Sequence, residues 1–273
     1  MRVIVTRPSA QAADWVQALS TCGVDADALP LIRIEPAADH APLQAAWHHL
    51  LAPLASQGQP AQRPDLVMFV SANAVQHFMA ARPAACAWPA GVVAAAPGPG
   101  TATALRQAGV PESLLEDPRG DLARFDSEGL WRQLSARSWQ GRRVLVVRGE
   151  VGRNWFAEQM RQQGAEVDFV VAYRRLPPQL DANQRALLDA ARQAPDRWCW
   201  HFSSSESVAN LIRLVPDADW RSSVAAATHP RIAQAVRAAG FGRVALIAPT
   251  PQAVADWLRS AGAQDPSIQS APQ

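Results

Sequence analysis

The chain has 273 residues, 48% hydrophobic and 18% charged, which is enough apolar material for two packed cores and excludes a disordered polymer. Its formal net charge of +2 rests on 26 arginines with no lysine, which excludes Schiff-base and phosphate-loop lysine chemistry and gives no reason to expect nucleic acid as a partner. Three cysteines, Cys22, Cys86 and Cys199, form no close pair, arguing against a disulfide framework and against structural zinc.

Met1 leads straight into a short apolar run at Val3–Thr6, of strand length rather than signal-peptide length. Further strands are predicted at Leu66–Val70, Val92–Ala96, Val144–Val147, Cys199–Phe202, Val224–Ala227 and Val244–Ala248. Each leads into a polar turn and then an amphipathic run of helix length. This alternation predicts an α/β fold with parallel sheets flanked by helices. No stretch approaches the roughly 20 apolar residues of a membrane span, so no membrane partner is expected and the cytoplasm is the expected location. Residues 263–273 have no apolar period and are expected to form a disordered tail.

The chain also repeats itself. Val93–Gly109 lies over Val224–Gly240 without a gap and with 10 of 17 positions identical. Val3–Arg33 lies over Val144–Arg174, matching Arg7 to Arg148 and Gly23 to Gly164, and Leu66–Val75 resembles Cys199–Val208. Two similar lobes follow, but their order is staggered: one copy of the first unit opens the chain and the other lies in its middle. If the opening unit belongs with the last ones, the lobes are 1–33 plus 177–262 and an inserted 37–172. The chain then crosses between them near Leu31–Pro36 and Ala172–Pro178, both extended and flanked by proline. The competing arrangement is two sequential Rossmann-like halves in one sheet.

Nucleotide motifs fail. Pro97-Gly-Pro-Gly-Thr-Ala-Thr103 follows a strand and opens a helix, but Thr103 stands where the dinucleotide fingerprint needs its third glycine. No Walker loop and no G-x-S-x-G elbow is present. The six histidines show no metal-ligand spacing beside a carboxylate. What remains is a set of strand-to-helix turns rich in small hydroxyls, glycine and arginine: Thr6–Ser9, Ser71–Asn73, Gly98–Thr101, Arg148–Gly149 with Gly152–Arg153, Ser203–Ser205, Thr228–Arg231 and Thr250–Pro251. In parallel α/β lobes these turns sit at the carboxyl ends of the strands, where helix amino termini offer free N–H groups to anions. For any one turn taken singly, the reading of its Ser or Thr as a helix cap is the better one. Together they suggest a cleft receiving an anion with several carboxylates or phosphates.

Several stretches resemble one family. They are Val5-Thr-Arg-Pro8, Phe69–Val75, Pro97–Leu105, Asp126-Ser-Glu-Gly-Leu130, Val144–Arg153 with Gly164–Val167 and Ala172–Arg175, Phe202-Ser-Ser-Ser205, and the helix ending at Gly240. From Arg2 to about Gly262 their order and spacing are similar to those of the uroporphyrinogen-III synthase family. The chain departs from the family pattern at Ile232, where a threonine is usual, at Val70 and at Pro97.

The resemblance implies two α/β lobes joined by a two-stranded linker, the middle lobe inserted into the terminal one. It also implies a lyase reaction without cofactor, in which linear hydroxymethylbilane becomes uroporphyrinogen III with loss of water and inversion of ring D. The substrate would be a linear tetrapyrrole with eight carboxylates, met by a monomeric enzyme with a transient contact to the enzyme preceding it in the pathway. Tyr173, the only tyrosine, is the candidate to help the hydroxyl leave; the alternative is a hinge tyrosine. Substrate-binding candidates are Arg7, Ser71, Asn73, Gly100, Thr101, Arg148, Arg153, Ser203, Ser204, His229 and Arg231, with structural ion pairs the alternative for Arg7 and Arg148. No metal ligand is expected. A non-catalytic two-lobed protein that binds a polycarboxylate is the competing function.

Overall fold

The computed structural model describes residues 1–53, 63–118 and 126–264, with side chains through residue 260. The elements in chain order are β1 (Arg2–Val5), α1 (Ser9–Thr21), β2 (Ala26–Ala28), β3 (Arg33–Pro36), α2 (Ala41–Leu51), β4 (Leu66–Phe69), α3 (Ala72–Ala80), β5 (Val93–Ala95), α4 (Pro99–Gln107), β6 (Leu115–Glu116), α5 (Ser127–Leu134), β7 (Arg143–Gly149), α6 (Trp155–Gln162), β8 (Glu166–Leu176), α7 (Ala182–Gln193), β9 (Trp198–Phe202), α8 (Ser205–Leu214), β10 (Val224–Ala227), α9 (Pro230–Ala238), β11 (Arg243–Leu246) and α10 (Pro251–Gln264). All seven predicted strands are present. Four more, β2, β3, β6 and β8, join them. Of the expected tail, residues 263 and 264 extend α10, and 265–273 lie outside the described residues.

The chain divides into a terminal unit, Met1–Arg33 with Leu176–Gln273, and an inserted unit, Ile34–Arg175. The terminal unit holds a five-stranded sheet ordered β11-β10-β9-β1-β2, and the inserted unit a six-stranded sheet ordered β3-β8-β7-β4-β5-β6. Read from β11 and from β6, the two orders correspond strand for strand, and the repeated sequences occupy equivalent strands. The sixth strand, β3, is the chain's way into the inserted unit. It lies beside β8, the way out, with the Ala37 N–H bonded to the Ala172 carbonyl at 3.2 Å.

Both sheets are covered on both faces, as parallel pairing requires. Strand parity divides the side chains. In β4, Val67 and Phe69 enter one buried cluster with Trp47, Phe78 and Trp88, while Leu66 and Met68 enter a second with Leu130, Phe156 and Met160. In β1, Ile4 packs with Trp200, Phe202, Trp220 and Phe241, while Val3 and Val5 pack with Leu19 and Val254. Ile232, at the position where threonine is usual in the family, is 6% exposed and belongs to this Trp200 cluster.

Four helices end on the same device. Gly23, Gly109, Gly164 and Gly240 have φ of 76°, 85°, 83° and 92°, the left-handed region that an L side chain disfavours. Each glycine N–H bonds back to a carbonyl three residues earlier, and the next N–H reaches five residues back, as in Val24 to Leu19 and Ala165 to Met160. The turn aims the chain into the following strand. A Cβ at Gly23 would meet nothing within 4 Å, so Gly23→Ala carries only the conformational term, roughly 1–2 kcal/mol. Chemical denaturation of Gly23→Ala should show a loss of that size; an unchanged midpoint would mean that the turn is not held in the native ensemble.

Candidate active site

In the inserted unit, the turn after β4 places Ser71 as the cap of α3. Its extended backbone lets Oγ accept the Ala74 N–H at 3.2 Å. The same Oγ lies 3.1 Å from the hydroxyl of Tyr173 on β8. A register shift between Arg148 and Gly149 on β7 sets Gly149 opposite Tyr173. A Cβ at Gly149 would stand 3.1 Å from the phenol Cε2 and Cζ, so glycine lets the ring lie across β7. The Glu150 N–H holds the Tyr173 carbonyl at 3.1 Å. His77 stacks on the phenol at 6.1 Å between centroids and the Arg175 guanidinium carbon lies 5.9 Å from it. Burial, then the neighbouring His40, lowers the His77 pKa.

The other candidates in this unit line the same strand ends. Asn73 is buried in the first turn of α3 and Thr101 in the first turn of α4. Gly98 caps α4 without a side chain, and a Cβ at Gly100 would meet nothing within 4 Å, so the start of that helix is open. Arg148 is tied down: Nε donates to the Gly149 carbonyl at 3.2 Å, one terminal nitrogen donates to Asn154 Oδ1 at 2.6 Å, and the guanidinium lies 5.2 Å from the Phe169 ring. Arg153 is paired with Glu128 of α5 at 2.6 Å.

In the terminal unit, β1 and β9 run side by side with Val5 opposite His201. Buried Thr6 donates Oγ1 to the His201 carbonyl at 2.8 Å, and Ser207 Oγ donates to the Thr6 carbonyl at 3.4 Å, so the two turns are locked together. Arg7, the next residue, lays its guanidinium carbon 4.3 Å from the Trp15 ring centroid. Trp15 in turn stacks on His201, with centroids 4.4 Å apart and planes at 26°. Arg7 Nε and both His201 nitrogens are buried without a hydrogen-bond partner. Burial brings Arg7 down to about 10, which leaves it cationic at neutral pH. Burial, then the Arg7 charge, pushes His201 down to about 3, which leaves it neutral.

Ser203 follows β9. Ser204 caps α8 by accepting the Glu206 N–H at 3.2 Å, and the buried Ser205 Oγ has no partner. His229 caps α9 through Nδ1, which accepts the Arg231 N–H at 3.2 Å. Arg231 itself is exposed. The structure therefore brings Ser71 and Tyr173 together, gives Arg148 and Arg153 partners of their own, and shows Ser71, Ser204 and His229 as helix caps. The sequence reading missed Trp15 and His201. The visible signal for Trp15 is its place eight residues after Arg7, two turns into α1. His201 sits inside an apolar strand, where a histidine reads as core. Among the described residues no three His, Cys, Asp or Glu side chains gather as a metal site, and no helix is long and apolar enough to cross a membrane.

The neutral His201 has a consequence for stability. The unfolded imidazole titrates near 6.5 and the folded one near 3, so between these values the unfolded chain holds the extra proton. Stability therefore falls as pH drops through this window, by roughly 1.4 kcal/mol per pH unit, or about 2 kcal/mol between pH 7 and pH 5. Denaturant titrations at pH 7, 6 and 5 should show this decline, and His201→Phe, which keeps a ring against Trp15, should flatten it. Equal slopes in the two proteins would mean that His201 is not buried neutral.

Residues 13–255 match the family model described as uroporphyrinogen-III synthase HemD. The chain is 28% identical over 217 residues to the uroporphyrinogen-III synthase of Escherichia coli, covering 79% of this chain and 80% of the relative. Its fold is similar to that of a mutant uroporphyrinogen III synthase from the extremely thermophilic bacterium Thermus thermophilus, with a TM-score of 0.57 and 18% identity over 97% of this chain and 100% of that one. It is similar also to uroporphyrinogen-III synthetase from Helicobacter pylori, with a TM-score of 0.54 and 15% identity over 96% and 100% of the two chains. At these identities the solved structures bear on the fold. The family match runs through both units and nearly the whole chain, and the protein belongs to the uroporphyrinogen-III synthase family.

Proposed function

We propose that this protein closes linear hydroxymethylbilane into uroporphyrinogen III with inversion of ring D and loss of water. Family membership supports the reaction. At the level of residues, one observation carries it: the Tyr173 hydroxyl, 3.1 Å from Ser71 Oγ at the amino end of α3. On this reading the C–O bond of the terminal hydroxymethyl group breaks, and its oxygen leaves as water with a proton delivered from Tyr173. The pyrrole nitrogens stabilise the resulting azafulvene cation. The substituted carbon of ring D then attacks, giving a spiro intermediate; its bond to the ring C bridge breaks and re-forms at the free carbon of ring D, whose proton leaves and restores the Tyr173 hydroxyl. The protein's main contribution is orientation, since the free bilane closes at the nearer carbon.

Recognition of the carboxylates is assigned to the strand-to-helix turns. Ser71, Ser204 and His229 each satisfy one N–H of the first helical turn, while Gly98 leaves the α4 start without a side-chain cap. Asn73, Gly100, Thr101, Ser203 and Arg231 stand in or beside the same first turns, and Arg7, Arg148 and Arg153 supply charge near them. The proposal has no role for a metal or nucleotide. It makes the protein a cytoplasmic monomer that meets the preceding pathway enzyme only transiently.

Freshly generated hydroxymethylbilane should yield isomer III after oxidation and separation. Isomer I alone, with tight bilane binding, would identify a polycarboxylate-binding protein instead. Tyr173→Phe keeps the ring and removes a hydrogen bond of about 1.4–3 kcal/mol, so turnover should fall roughly ten- to a hundred-fold and isomer I should rise. Thr101→Ala, the comparison, should raise KM more than it lowers kcat. Full turnover in Tyr173→Phe with pure isomer III would make the tyrosine a hinge residue. Gly149→Ala presses on the phenol by a few tenths of an ångström, so its turnover should lie between those of the wild type and Tyr173→Phe. Wild-type rates there would show that the ring position is not critical.

A further inference from the structure

The two repeat-related arginines are held in opposite ways. Arg148 donates through Nε to the Gly149 carbonyl and through one terminal nitrogen to Asn154. Arg7 makes no hydrogen bond or ion pair among the described residues; it is held through its face, 4.3 Å from the Trp15 ring. A guanidinium over an aromatic ring keeps its in-plane N–H donors for other partners, and with Nε buried the terminal nitrogens are the pair that can meet a ligand. Arg7 Nε is also buried without a partner, a costly state for a charged group. The fork suits a carboxylate held in bidentate fashion.

The platform is built from two further elements. Trp15 comes from α1, and it stacks on His201, the central-strand residue opposite Val5. The His201 carbonyl takes the Thr6 hydroxyl at 2.8 Å and the Thr6 N–H at 3.4 Å, so one residue anchors both the turn that carries Arg7 and the ring behind it. A neutral imidazole adds bulk behind the indole without repelling the guanidinium.

We infer that Arg7 receives one carboxylate of the substrate in bidentate fashion, and that Trp15 and His201 are positioning residues that set its orientation. The inference rests on the bilane reading above for the identity of the substrate. The carboxylate takes no part in the bonds that break and form, so the contact acts on binding rather than on the chemical step.

The test is a double-substitution cycle on the full chain, read as KM and kcat for freshly generated hydroxymethylbilane. Arg7→Gln should raise KM about tenfold or more, as loss of a charge-assisted bond does, with kcat changed less than about twofold. Trp15→Leu should raise KM about three- to tenfold, and Trp15→Phe, which restores an aromatic face, should recover most of that loss. In the Arg7→Gln background, Trp15→Leu should have no further effect on KM. A merely structural tryptophan would raise KM by the same factor in both backgrounds, and that result overturns the inference. An unchanged KM in Arg7→Gln overturns it as well. Should Trp15→Leu fail to fold, Trp15→Met, which also removes the aromatic face, takes its place in the cycle. Wild-type isomer III formation is measured first: its absence removes the bilane reading itself, whereas intact conversion with independent effects removes only the role of Trp15 and His201.

Discussion

Parallel pairing sends every strand of a sheet out through one edge, and at that edge the amino end of the next helix begins. Side chains far apart in sequence are thereby delivered to a common rim, whatever the loops between them do. In the terminal unit this brings Thr6, at the end of β1, against His201 and Ser207, which lie at and beyond the end of β9. In the inserted unit it brings Ser71, after β4, against Tyr173 on β8. The left-handed glycine turns serve the same constraint from the other edge, returning each helix to the next strand in a fixed direction.

The repeat has kept this scaffold and let the chemistry diverge. Strand order, helix ends and glycine turns correspond between the units. The groups at the rims do not. The position equivalent to Tyr173 is Ile32, a buried aliphatic residue, and the position equivalent to His201 is Met68. Arg148 is held by polar bonds and Arg7 by an aromatic face. One unit thus carries a phenol beside a helix cap, the other an arginine with its donors available. A symmetric fold presents an asymmetric set of groups.

The class of fold was readable because buried parallel strands are short apolar runs, and β4, β7, β9 and β10 are almost wholly buried. Strand β8 was not: its apolar run, Phe169–Tyr173, is flanked by Glu166 and Asp168 on one side and by Arg174 and Arg175 on the other, and its end read as a crossing between lobes. Strand β6 has two residues and no pattern of its own. At the rims, small hydroxyls marked the turns, and the caps at Ser71 and Ser204 follow from residue type. The pairing of Ser71 with Tyr173 did not, because 102 residues separate them and only the register shift at Gly149 sets the ring in place. The stack under Arg7 was hidden for a similar reason: His201 is brought to it by sheet pairing and carries no polar neighbour that would flag it.

Chain order gives the two units unequal histories during synthesis. The inserted unit is contiguous, so all its strands are available once residue 175 has been made. The terminal unit has at its centre β1 paired with β9, a contact across some 195 residues. Its first strand and helix are therefore translated early and wait without a sheet partner on one side until the last third of the chain emerges. Loop closure grows only logarithmically with length, and a folded inserted unit that brings β3 and β8 side by side shortens the effective loop. A middle unit folded before the rest would act as an internal template, bringing the two halves of the terminal unit within reach of each other.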